Sequence, residues 1–160
     1  MNTPDIDSPT SPRSAVLPFF ALGTAAIIFA GLLSAALARV ASYHSAWLVA
    51  YLVLIVGVAQ VALGLGQWWL ASKRLSPGVI AGELVVFNLG NAGVILGTLI
   101  SAPIWVDAGS VLIAIALAWF GWSVWRPRKR GGALWAYWAL VVLLLASVIV
   151  GLFLAHSSAA

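Results

Sequence analysis

The 160-residue chain predicts an all-α integral membrane protein, a bundle of five transmembrane helices behind a disordered N-terminal tail. Three observations carry that expectation. Hydrophobic residues make up 63% of the chain and charged residues 8%, where a soluble domain has about half and about a quarter. A chain this short cannot hide such an excess in its own core, so lipid is the expected solvent for most of it. Five apolar runs are each long enough to cross a hydrocarbon core as a helix, and the basic residues gather in the breaks between them.

The elements follow in order. Residues 1–13 place Pro4, Pro9 and Pro12 among Asp, Ser and Thr with no apolar period, which predicts a disordered cytoplasmic tail. A single five-span domain is expected over 14–156, with spans at about 15–38, 46–71, 79–101, 104–125 and 132–155. Ala36-Leu37-Ala38 resembles a signal-peptidase site. The preceding run far exceeds a signal h-region of roughly 7–15 residues, so it is read as a retained first span. Lys73-Arg74 and Pro77-Gly78 divide the second span from the third, Pro103 the third from the fourth, and residues 126–132 the fourth from the fifth. Helices are the expected form because each must satisfy its own backbone amides in lipid.

Topology follows from charge. With the N-terminus in the cytoplasm, Arg13, Lys73, Arg74, Arg126, Arg128, Lys129 and Arg130 all lie inside, and of the basic residues only Arg39 lies outside, with Asp107. That is the positive-inside pattern, and it predicts N-in and C-out. The basic clusters are expected to anchor topology and to meet lipid headgroups rather than nucleic acid. Trp68, Trp69, Trp122, Trp125, Trp135 and Trp138 are expected at the inner interface, and Tyr43, Trp47 and Trp105 at the outer, because an indole at headgroup depth keeps its ring apolar and its N–H wet. Alanine-rich, lysine-poor usage suits a bacterial cytoplasmic membrane.

Helices in lipid associate through small residues and interhelical hydrogen bonds. Candidate packing faces are Ala26, Ala30, Ser34 and Ala38 on the first span, Gly82, Gly90, Gly93 and Gly97 on the third, and Ser147 with Gly151 on the fifth. The unusual chemistry is confined to the second and third spans. Gln60 and Gln67 share a face with Gly57 and Gly64; Glu83, Asn91 and Thr98 share another, with Asn88 somewhat beyond. Counting from the turn puts Gln67 and Glu83 toward the cytoplasm and Gln60 and Asn91 near mid-membrane. A carboxamide left dry there costs several kcal/mol, so Gln60 and Asn91 are expected to be mutual neighbours.

This polar face has two readings, interhelical glue or a path for an ion, proton or small solute. A single carboxylate one turn from the interface favours glue. Enzyme signatures are missing: there is no G-x-S-x-G, no H-E-x-x-H, no phosphate loop and no second intramembrane acid. No catalytic residue, metal or cofactor is therefore expected. Cysteine is absent, and His44 and His156 have no acidic partner at ligand spacing. The leading expectation is a non-catalytic membrane subunit or scaffold that packs against partner membrane chains. The rival is a small homo-oligomeric transporter or channel using the Gln/Asn/Glu face. A membrane enzyme working at the outer histidines is a weaker third.

Overall fold

The computed structural model of the chain describes residues 12–40 and 42–157. Among them the regular structure is helical: α1 (Pro12–Leu37), α2 (Tyr43–Leu70), α3 (Pro77–Leu99), α4 (Pro103–Ser123) and α5 (Gly132–Ser157). All five are long and apolar enough to span a membrane. Residues 1–11 of the expected tail lie outside the described residues; Pro12 and Arg13 already belong to α1.

Local chemistry sets the helix ends. Ser42 and Ser45 form a reciprocal capping box, in which the Ser45 amide donates to Ser42 Oγ at 3.2 Å and the Ser42 amide to Ser45 Oγ at 2.8 Å. The box satisfies two amides and starts α2 at Tyr43, a turn earlier than hydropathy suggests. At α3, Ser76 Oγ accepts from Val79 N at 3.3 Å and Pro77 occupies the first turn, where its missing N–H costs nothing. The other end of α3 closes with Ala102 N donating to Gly97 O at 2.8 Å and Ser101 N to Thr98 O. Ser101 there has a φ of 53°, the left-handed position that a Schellman closure reserves for glycine.

Two tight pairs make up the bundle. In one, α1 lies along α2: Phe19 packs over Gly64, and Gly23 and Ile27 over Gly57. The contact face of α1 is thus Phe19, Gly23 and Ala30, all buried. This corrects the four-residue ladder, since Ser34 and Ala38 are exposed and Ala26 is half-buried. In the other pair, α3 and α4 make the most extensive contact in the molecule. A methyl group added at Gly90 would sit 2.9 Å from Gly109 O, and one at Gly97 would sit 2.6 Å from Val106 N. Gly93 meets the Gly109 Cα; Gly82 meets the Trp119 ring instead of a backbone. Side chains at these glycines would hold the helices apart.

Helix α5 packs on α4 and more lightly on α2. Tyr137 anchors it, packing on Gly66 and donating to Phe120 O at 3.0 Å. Ser147 and Gly151 do not serve as its packing face: both are exposed, and nothing lies within 4 Å of a Cβ built on Gly151. Where the pairs meet, Phe19, Phe87 and Phe120 come together with ring centroids 5.7 and 6.0 Å apart.

The α2–α3 and α4–α5 loops are tied at one end of the bundle. Arg128 N donates to Leu70 O at 2.7 Å, and Ala71 bridges to Pro127. Lys73, Arg74, Arg126, Arg128, Lys129 and Arg130 are all exposed at this basic end. Trp68, Trp69, Trp122, Trp125 and Trp135 are exposed near it, with the Trp122 and Trp125 rings stacked at 6.5 Å.

Candidate functional site

The backbones of α2 and α3 scarcely approach each other, yet their polar side chains meet in three rungs. Nearest the basic end, Gln67 Nε2 donates to Glu83 Oε1 at 2.8 Å, and Ser123 Oγ of α4 donates to the same oxygen at 2.7 Å. In the middle rung Asn88 Nδ2 donates to Gln60 Oε1 at 2.9 Å and to Leu84 O. In the third, Tyr51 Oη donates to Asn91 Oδ1 at 2.7 Å, while Asn91 Nδ2 donates to Phe87 O. Gln60, Gln67, Glu83 and Asn91 are buried, each 1% exposed or less.

The expected Gln60–Asn91 pairing is therefore shifted by about one turn. A π-helical stretch at Leu52–Ala59 explains the change. Nine residues of ideal α-helix separate Tyr51 from Gln60 by about 180°, so Tyr51 would face away. A π-helix turns roughly 15° less per residue, and eight such residues bring Tyr51 to within about 60° of the Gln60 face. Tyr51 then takes Asn91 and leaves Gln60 to Asn88. A run of β-branched residues (Val53, Ile55, Val56 and Val58) with Gly57 among them makes this stretch a weak α-helix former.

Thr98 takes no part in the rungs; its hydroxyl donates to Val94 O of its own helix at 2.8 Å. Ser123 and Tyr51 do, and neither stands out in the sequence. Ser123 is a solitary polar residue at the end of an apolar run, and Tyr51 has the wrong phase until the π segment is included.

Three buried atoms in the seam have no partner in the structure: Gln60 Nε2, Gln67 Oε1 and Glu83 Oε2. Two are acceptors on groups already bonded to each other, and one is a donor a few turns farther from the basic end.

At the opposite end, a cavity of about 540 Å³ opens between α2, α3, α4 and α5. Trp47, Tyr51 and Phe87 contribute aromatic surface, and Ser147 and Gly151 line the α5 side. Trp47 stacks obliquely on Tyr51 with centroids 5.1 Å apart and lines the cavity. His44 lines the cavity as well. His156 Nε2 lies 3.5 Å from Asp107 Oδ2, an acidic partner that chain spacing does not disclose. Among the described residues no group of three His, Cys, Asp or Glu could hold a metal.

Five helices long and apolar enough to cross a membrane, around a buried polar seam, support a multi-pass membrane protein. The chain matches no protein-family model, no curated protein and no solved structure.

Proposed function

We propose that the protein is a non-catalytic, membrane-spanning conductor of protons or a small cation, with the Gln/Asn/Glu seam as its path and Glu83 as the charged station. The observation that carries this reading is the set of unpartnered buried atoms. Interhelical hydrogen bonds in membrane proteins contribute roughly 0.6 kcal/mol each, so the four side-chain bonds of the seam supply about 2–3 kcal/mol. A single polar group left dry costs about as much, and three are unpartnered here. As glue alone the seam leaves these three atoms unsatisfied. Water accepting from Gln60 Nε2, with water, a proton or a cation at the acceptors Gln67 Oε1 and Glu83 Oε2, removes the deficit.

The clustered Lys73, Arg74, Arg126, Arg128, Lys129 and Arg130 support a cytoplasmic basic end, hence an N-in orientation. Composition suits a bacterial cytoplasmic membrane. In proteoliposomes under an imposed pH or potassium gradient, the wild-type protein should carry flux, and Glu83→Gln should lower it about tenfold or more while helix content and dispersity persist, as for loss of an intramembrane charge station. Undiminished flux through Glu83→Gln removes the carboxylate from the path.

A second reading, a subunit packing on partner membrane chains, is favoured by α1. Its outward Gly31, Ser34 and Ala35 leave a small-residue surface, with nothing within 4 Å of a Cβ built on Gly31. In the same preparations, a flux-silent wild type whose native mass includes unrelated chains would select this reading.

A further inference from the structure

The cavity at the end opposite the basic loops is a site in its own right. Its volume of about 540 Å³ falls within the range of small-molecule pockets, roughly 300–1,000 Å³. No Asp, Glu, Lys or Arg is among its lining residues, so of these side chains only His44 could offer an ionic guest a counter-charge. The walls are largely apolar, with Trp47, Tyr51 and Phe87 offering ring faces that an acyl chain does not need.

The cavity's hydrogen-bonding groups are unevenly committed. Tyr51, Thr98 and Ser147 already donate, to Asn91, Val94 and Leu144 respectively. Ser110 is only 4% exposed and lines the cavity, yet its hydroxyl makes no hydrogen bond among the described residues. Set in the cavity lining with no such bond, that hydroxyl is available to donate to an acceptor there. At the rim, Ser101 keeps a side chain in the left-handed conformation that glycine adopts without steric cost, and strain of this kind collects at ligand sites.

We infer that this cavity binds a neutral, lipid-soluble ring compound with a carbonyl acceptor. The ring lies among Trp47, Tyr51 and Phe87, the carbonyl accepts from Ser110, and an aliphatic tail leaves toward the lipid. The site shares no residue with the Glu83 rung and does not depend on conduction.

The probe is a decyl-substituted benzoquinone, titrated into the protein in lipid nanodiscs and followed by tryptophan quenching. A saturable component above simple partitioning is expected, absent in Trp47→Phe. Ser110→Ala, which removes one hydrogen bond at nearly constant shape, should weaken binding about fivefold. Ser147→Phe, placed on an exposed position, should fill the cavity and weaken it about tenfold or more. Decylcyclohexane should not displace the quinone, and Glu83→Gln should bind it like the wild type. Purely linear quenching, equal displacement by decylcyclohexane, or unchanged affinity in Ser110→Ala would each overturn the site, the second by showing a plain lipid crevice.

Discussion

Glu83 accepts two hydrogen bonds at one carboxylate oxygen and none at the other, inside a segment apolar enough to cross a membrane. Both donors come from other helices, Gln67 on α2 and Ser123 on α4, so the carboxylate holds three spans in one register. Thr98 differs: its hydroxyl is spent on its own helix and connects nothing. The two should respond differently to truncation. Ser123→Ala should cost about 1–2 kcal/mol, because the buried Glu83 carboxyl group loses one of its two donors. Thr98→Ala should stay within about 0.5 kcal/mol, the usual range of a substitution that breaks no shared contact. Unfolding in mixed micelles measures both, and equal costs would show that Ser123 is not engaged with Glu83. Polar composition picked out Glu83, Gln60, Gln67, Asn88 and Asn91 from the chain alone. Ser123 stayed hidden because its partner lies 40 residues away, and nothing local marks the meeting.

Helix by helix, hydropathy located the five long apolar helices to within a few residues, since length and apolarity are local properties. Packing is not local. The glycines of α3 were legible as a contact face, but their neighbour, the Gly109 face of α4, follows only from the fold. The small residues of α5 misled because smallness signals close approach of any kind, and here Ser147 and Gly151 open onto a cavity. The π segment of α2 is the clearest case of an element overriding a wheel projection. It removes about 120° of rotation, a little more than one residue's worth, and rewires two rungs of the seam. The α3–α4 contact makes its own prediction. A methyl at Gly109 would sit 2.5 Å from Gly90 O and 2.6 Å from Val94 N, both backbone atoms that cannot swing aside. Gly109→Ala should therefore destabilise the protein by about 1–3 kcal/mol. Gly151→Ala, with open space around it, should be neutral or stabilising by up to about 1 kcal/mol. Detergent unfolding midpoints decide the matter; a tolerant Gly109 would mean that the two helices do not approach so closely.

Taken whole, the molecule has a basic end closed by two mutually bonded loops and an opposite end opened by a cavity. Between them lies a ladder of polar rungs that the α1–α2 and α3–α4 pairs leave room for. Conduction requires that this ladder be wet. The chain contains no cysteine, so single cysteines report without background. The decisive measurement compares Gln60→Cys, at a fully buried rung, with Leu54→Cys, at a position of α2 that is 59% exposed where lipid is expected. A small, charged, water-soluble thiol reagent reacts with a thiolate, which forms only where water reaches. Reaction at Gln60→Cys with silence at Leu54→Cys is the expected result, and it would establish a hydrated seam through the middle of the bundle. Silence at both would contradict it and return the rungs to the role of interhelical glue.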